Sequence, residues 1–155
     1  MTMTDSVERL QVLQQLGRTY RAFLSAYEKQ VGHFLPRWRV MLHLYRHGKP
    51  SPQKAVGEAS YMDPGALSRH LSALETRGWI RRDTDQNDKR ITNVCLTEQG
   101  KREVEKSLPK RAAFMEYTLQ DISEQQMHQL MEALLLLEAR FNSSGEQQRE
   151  EDAAA

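Results

Sequence analysis

The side chains best suited to chemistry in this chain lie in a short polar stretch after Asp63-Pro64. Residues 65–72 combine small and polar side chains with one guanidinium, and the outward-facing members are Gly65, Ala66, Ser68, Arg69, His70 and Ser72. Small residues let a helix approach base-pair edges closely, and Arg69 could donate two hydrogen bonds to a guanine or contact a phosphate. A helix N-terminus also favours phosphate oxygens. The pattern indicates a DNA-contacting helix, and an ordinary solvated helix face is the alternative.

A second segment with basic side chains lies at residues 85–90, DQNDKR. At the end of a two-stranded ribbon, Lys89 and Arg90 can reach a phosphate backbone, and Arg90 can enter a narrow minor groove. Asp88 lies two residues before Arg90 and is close enough to orient its guanidinium. We therefore predict that Asp88, Lys89 and Arg90 contact DNA. An ordinary charged turn is the alternative, because aspartates balance the cations in this segment.

The remaining reactive side chains favour neither an enzyme nor a metal centre. No Ser/His/Asp or Cys/His set is evident, and no glycine-rich loop that would cradle a phosphate. His43 and His47 are four residues apart, but HLYRH lacks the glutamate of a zincin helix. Cys95 is the only cysteine and falls in a predicted strand, which favours a structural thiol. We expect no cofactor, no bound metal and no catalytic residue.

Proline and capping signals place the polar stretch on the second of two short helices. Ser-Pro at 51–52 and Asp-Pro at 63–64 each put a capping side chain before a proline, which suits the first turn of a helix. These signals predict helices over residues 51–59 and 63–77. Two helices joined by a tight turn form a helix-turn-helix. The buried face of the second helix is predicted from leucines three and four apart: Leu67, Leu71 and Leu74.

The residues after this helix-turn-helix predict a β-hairpin and then two helices. The runs 79–83 and 91–96 are typical of strands and flank the charged segment. Thr97 caps the next helix, which contains Pro109 and should therefore bend or break there. A capping box of Ser123 with Gln126 begins the last helix.

Long apolar helices flank the helix-turn-helix. Residues 5–31 form a helix whose apolar stripe is wider than a lone surface helix requires, and residues 36–48 form a second helix. A leucine cluster at 130–137 exceeds what a small DNA-binding domain can cover. These surfaces need a partner. From residue 143 the chain is polar and net acidic, and we expect this tail to be disordered.

Composition is compatible with a cytoplasmic DNA-binding protein. The net charge of +1 excludes little, because only a local basic patch is needed to hold phosphate. No apolar run approaches the length of a membrane span, and the first residues lack the layout of a signal peptide. A single cysteine fits a reducing compartment. We expect a cytoplasmic protein with no membrane partner.

Over roughly residues 10–140 the chain resembles the MarR family of bacterial winged helix-turn-helix transcriptional regulators. The matching segments are Trp38-Arg39-Val40-Met41, MDPGALSRHLSALETRGWIRR, and DQNDKR followed by LTEQG. The family's serine-arginine pair falls on Ser68 and Arg69. Its wing pattern, Asp-x-Arg-Asp-x-Arg, is met by Asp85, Asp88 and Arg90, whereas Asn87 replaces the first arginine.

The resemblance implies a mainly α-helical fold with a small β-hairpin wing. Residues 36–97 would form the DNA-binding domain, and residues 5–35 with 98–142 would form the dimerisation region. An obligate homodimer would read a pseudo-palindromic double-stranded operator, with half-sites about one DNA turn apart. The implied function is transcriptional regulation, most often repression.

The resemblance also implies an effector. Family members commonly release DNA when a small aromatic acid or phenol binds between the dimerisation helices and the DNA-binding domain. Carried onto this chain, the lining residues are Arg18, His33, Trp38 and Arg39. Trp38 could stack on a ring, and Arg39 or His33 could pair with a carboxylate; the alternatives are a core tryptophan and a salt-bridging arginine. A redox- or metal-responsive regulator of the same fold is the second candidate.

Overall fold

The computed structural model describes the backbone of residues 3–154 and the side chains of residues 9–143. In that part of the chain the elements are α1 (Met3–Val31), α2 (Leu35–His47), β1 (Ser51–Pro52), α3 (Gln53–Ser60), α4 (Pro64–Thr76), β2 (Ile80–Thr84), β3 (Thr92–Leu96), α5 (Glu98–Leu119) and α6 (Glu124–Ala154). They form two compact units, one ending at Phe114 and one starting at Met115. The predicted fold class, mainly α with a small β wing, is confirmed.

The core of the first unit lies between the helix-turn-helix and the sheet. The leucines predicted to face inward are buried: Leu67 is 2% exposed, and Leu71 and Leu74 are 0% exposed. Met41 of α2 and Val94 of β3 are also fully buried, and α2 contacts both α4 and β3. Burying a side chain of this size contributes about 1.5–3 kcal/mol. The leucines therefore determine which side of α4 is left to solvent.

The sheet has three antiparallel strands in the order β1-β3-β2, one more than the sequence predicts. The wing strands β2 and β3 pair from Ile80 opposite Leu96 to Thr84 opposite Thr92. The prediction that Ser51 caps a helix was wrong, because Ser51 pairs with Val94 in β1 and Pro52 occupies the cap position of α3. A residue before proline is pushed towards extended backbone, which explains the short strand.

Backbone groups take part in each of the contacts that connect β2 to α4 and α5. Gly78 has a φ of 69°, which glycine adopts without strain, and Trp79 donates its amide to the Leu74 carbonyl at 3.1 Å, ending α4. Thr97 caps α5 as predicted: its Oγ1 accepts from the Gly100 amide at 3.0 Å and donates to the Gly78 carbonyl at 2.6 Å. A Cβ on Gly100 would overlap the Trp79 carbonyl. Only glycine fits at this contact.

The last two helices, α5 and α6, begin where predicted but extend past the positions at which the sequence predicts a break or an end. α5 is not broken at Pro109. The capping box of α6 is confirmed, because the Gln126 amide donates to Ser123 Oγ at 3.2 Å and the Ser123 amide donates to Gln126 Oε1 at 3.0 Å. α6 runs to Ala154, whereas the sequence predicts disorder from residue 143; glutamate, glutamine and arginine near its end favour helix despite their polarity. Among the described helices, none is long and apolar enough to cross a membrane.

Candidate nucleic-acid interface

The first turns of α4 present the polar face that the sequence predicts. Asp63 Oδ1 accepts a hydrogen bond from the Ala66 amide at 2.8 Å. This bond lowers the pKa of the Asp63 carboxyl, so the cap is ionised at neutral pH. All six predicted contact residues are accessible: Gly65, Ser68, Arg69 and Ser72 are exposed, and Ala66 and His70 are half-buried.

Arg69 and His70 bring different chemistry to this face. The Arg69 guanidinium lies beside Gly65, where an added Cβ would be 3.9 Å from Nη1. His70 packs against Phe34, with 5.7 Å between ring centroids. Burial, with smaller contributions from the charges of Arg37 and Arg69, lowers the pKa of His70. At neutral pH His70 therefore offers one donor and one acceptor, and Arg69 carries the permanent charge.

Two aspartates shape the tip of the wing by binding its backbone. Asp85 Oδ1 accepts from the amides of Asn87 and Asp88 at 2.9 and 3.1 Å, and these bonds lower the pKa of Asp85. Asp88 Oδ1 accepts from the backbone amide of Arg90 at 2.9 Å. Asp88 therefore orients the chain at Arg90, whereas the sequence led us to expect it to orient the guanidinium. Asp88, Lys89 and Arg90 are all exposed.

A bridge between Glu75 and Arg82 ties the wing to α4. Glu75 Oε2 accepts from Arg82 Nη2 at 2.5 Å and from Nε at 3.0 Å, and Oε1 accepts from the Arg82 amide at 3.1 Å. Arg82 Nη2 also lies 3.4 Å from Ser72 Oγ on the exposed face. The hydrogen bond from Arg82 lowers the pKa of the Glu75 carboxyl. Sequence reasoning missed this bridge, because it joins a helix to a strand and leaves no periodic signal.

His33 and Trp38, two of the predicted effector residues, are buried and packed together. His33 is 5% exposed and Trp38 is 1% exposed, and their rings stack with centroids 5.3 Å apart. His33 Nε2 lies 2.8 Å from Ser107 Oγ and 3.2 Å from Glu103 Oε1. Burial lowers the pKa of His33, opposed by the charge of Glu103. In this arrangement the two rings connect the start of α2 to α5.

The other two predicted effector residues lie on different helices. Arg18 is exposed on α1 and donates to Gln15 Oε1 at 2.8 Å. Arg39 is exposed on α2 and lines a groove on that helix. The structure therefore groups His33 with Trp38, while Arg18 and Arg39 each lie on a surface of their own.

The environment of Cys95 disfavours a thiol-based switch. The side chain is buried in β3, and burial raises the pKa of its thiol. Because the thiolate is the reactive form, a raised pKa makes the cysteine slow to oxidise at neutral pH. This agrees with a structural thiol.

Known proteins resemble this chain in both sequence and fold. Residues 35–92 match the model of the MarR family. The HTH-type transcriptional regulator YdgJ of Bacillus subtilis is 28% identical over 136 residues, which is 88% of this chain and 82% of the relative. The structure of overoxidized AbfR bound to DNA has a TM-score of 0.75 at 21% identity and covers 91% of this chain and 99% of that one.

A third similar protein, BpsR of Bordetella bronchiseptica, was solved in a study of the regulation of its DNA binding by 6-hydroxynicotinic acid. Its TM-score is 0.69 at 19% identity, and the match covers 83% of this chain and 98% of that one. These proteins are regulators and not enzymes. The matched residues 35–92 contain the whole exposed face of α4 and the wing tip. Family model, relative and fold agree: residues 35–92 match the MarR family, and the chain is similar to an HTH-type transcriptional regulator over most of its length.

Proposed function

We propose that this regulator represses transcription by occupying a pseudo-palindromic operator as a homodimer, and that a small aromatic acid or phenol releases it. The observation that carries the proposal is the exposed placement of Arg69 on α4 and Arg90 on the wing, two elements joined by the Glu75–Arg82 bridge. A helix with a small, polar outer face fits the major groove, and a basic hairpin tip fits the neighbouring minor groove or backbone. Because DNA is the ligand, we place the protein in the cytoplasm.

Exposed apolar side chains on the outer helices support a homodimer. Isolated exposed apolar residues are normal, but contiguous sets mark an interface. Residues 36–97 would then form the DNA-binding domain, with the helical residues 5–35 and 98–142 forming the dimer. The side chains concerned are Leu10, Val12, Leu13 and Tyr20 on α1, and Leu130, Met131, Leu135, Leu136 and Phe141 on α6.

The effector proposal depends on the packing around His33 and Trp38. A planar acid that displaces the Trp38 ring from His33 would disturb the contact between α2 and α5, and Arg39 on the same helix could pair with its carboxylate. Arg18, the fourth predicted lining residue, lies on another surface of α1 in this structure and would join the site only if the acid bound across both surfaces. The effect on DNA would be a shift of population towards a dimer whose recognition helices no longer match the half-sites. The regulation of BpsR by an aromatic acid supports this class of effector.

Fluorescence anisotropy with a labelled promoter fragment tests the DNA-binding proposal. We expect affinity for the operator to exceed that for random DNA and to fall steeply as salt is raised. Arg69→Ala should weaken binding, and Arg102→Ala, which removes an exposed charge on α5, should not. Equal affinity for operator and random DNA would contradict the proposal. Titration with salicylate and phenol tests release separately: unchanged operator affinity would remove the effector and leave the DNA-binding function.

A further inference from the structure

A basic groove runs along α2 next to the turn of the helix-turn-helix; we call it the α2 groove. It encloses about 400 Å³, within the size range of small-molecule sites. Four basic side chains line it: Arg39, His43, Arg46 and His47. His43 lies four residues from Arg39 and from His47 and three from Arg46, so the four side chains lie towards one side of the helix. Leu42, Ala59 and Tyr61 complete the lining, and none of these residues is acidic.

The charges around the two histidines of the α2 groove favour an anion over a metal ion. Their rings stack with centroids 5.8 Å apart and planes 12° from parallel. Burial, together with the neighbouring His47, lowers the pKa of His43. Arg39 and Arg46 on the same helix would repel a cation. An anion would supply the negative charge that this cluster lacks.

Tyr61 adds an exposed aromatic side chain from the turn that follows α3. Its φ of 56° lies in the left-handed region, where a side chain larger than that of glycine or asparagine is uncommon. This conformation is the left-handed C-cap of α3, in which the Tyr61 amide donates to the Glu58 carbonyl at 3.2 Å. Tyr61 is 86% exposed, so its side chain is accessible to a ligand in the groove. Tyr61 lies two residues before Asp63, the cap of the recognition helix.

We propose that the α2 groove binds an organic phosphate, with the phosphate between Arg46 and the two imidazoles and the organic part against Leu42 and Tyr61. A phosphate monoester carries close to two negative charges and three acceptor oxygens at neutral pH, which suits a guanidinium fork and two imidazoles. A monocarboxylate would neutralise only one of the two guanidinium charges of Arg39 and Arg46. The inference goes beyond the proposed function, because the groove shares only Arg39 with the residues predicted for the aromatic effector.

NMR of the histidine ring protons in the full chain, titrated with phenyl phosphate, tests the proposal. We expect the signals of His43 and His47 to shift together and the pKa of His43 to rise. Arg46→Gln should weaken binding at least tenfold, whereas Arg102→Gln, which removes the same charge from α5, should leave it unchanged. Phenol at the same concentration should cause no shift. Absence of a shift with phenyl phosphate, equal affinities of the two variants, or equal shifts with phenol would overturn the proposal.

The operator-binding assay distinguishes a small phosphate from the phosphodiester backbone of DNA. Without phenyl phosphate, we expect Arg46→Gln to bind the operator as tightly as the parent, with the same salt dependence. If its affinity and salt dependence both fall, the α2 groove contacts the DNA backbone, and the proposal of a small phosphate is overturned. The NMR titration contains no DNA, so failure of the repressor hypothesis would not affect its outcome.

Discussion

Neutralising the Glu75–Arg82 bridge gives the sharpest test of how α4 and the wing are held. The change is Glu75→Gln, which keeps the shape of the side chain and removes its charge. A bidentate charge-assisted contact contributes about 1.5–3 kcal/mol when desolvated. Here 38% of the Glu75 side chain and 26% of the Arg82 side chain remain accessible, so solvent screening reduces the expected coupling to about 1 kcal/mol.

A double-mutant cycle measures this coupling free energy. Urea unfolding of the parent, Glu75→Gln, Arg82→Gln and the double variant, at one fixed protomer concentration, gives the four free energies of unfolding required. The pKa of Glu75 is lowered in the folded state, so the contribution is complete above its ordinary value of 4.5 and is lost as the pH falls through the folded pKa. The difference between parent and Glu75→Gln should shrink accordingly in acid. A coupling below about 0.3 kcal/mol at neutral pH would refute the role of the bridge.

The same variant separates positioning from simple electrostatics in DNA binding. Removing a negative charge near the predicted DNA-contacting face would tighten binding if long-range charge alone mattered. If the bridge positions the wing relative to α4, Glu75→Gln should instead weaken operator binding several-fold, without changing the salt dependence. Tighter binding by Glu75→Gln would show that the bridge does not position the wing for DNA.

Three further predictions concern the interface, the backbone contact at α5 and the buried histidine. Arg69→Ala should cost about 1–3 kcal/mol of binding free energy and relax base preference at one position. Arg90→Ala should weaken binding to all sequences evenly and lower the slope of log affinity against log salt by about one. Anisotropy over a set of operator variants checks both predictions. Gly100→Ala should cost about 3 kcal/mol or more, because its Cβ would overlap a neighbouring carbonyl. The control Gly17→Ala, whose nearest new contact is 4.0 Å away, should stabilise the chain by about 0.5–1 kcal/mol in urea unfolding. Burial lowers the folded pKa of His33, so below about pH 6.5 the unfolded chain binds a proton that the folded chain does not. The contribution of His33 to stability should then fall by up to about 1.4 kcal/mol per pH unit. His33→Gln should remove that part of the slope and leave the part due to His43 and His70, whose pKa values are also lowered.

Much of the fold could be predicted because its signals are local. The Asp63 cap, the capping box of Ser123 with Gln126 and the leucine spacing in α4 each follow from residues within one or two helical turns. Such contacts are fixed by helix geometry, so the order of the chain determines them. The exposed positions of α4 followed directly from its buried leucines.

The parts that sequence reasoning missed depend on contacts distant along the chain. Ser51 pairs with Val94, and His33 lies against Ser107, pairs 43 and 74 residues apart. The periodicity of apolar residues along a helix or strand does not indicate which distant residues it will contact. We expected the Asp88 carboxylate to bind the guanidinium of Arg90, but it accepts a hydrogen bond from the Arg90 backbone amide. Sequence spacing does not distinguish the side chain from the backbone amide of the same residue.

The contact at Gly100 has a consequence for how movement of α5 would reach the DNA-contacting surface. Where two elements meet through long side chains, rotamer changes absorb small displacements. At Gly100 the helix backbone lies directly against the Trp79 carbonyl, so no rotamer is available to absorb a shift. A tilt of the first turn of α5 would therefore move the start of β2 by a similar distance, and the wing would follow it.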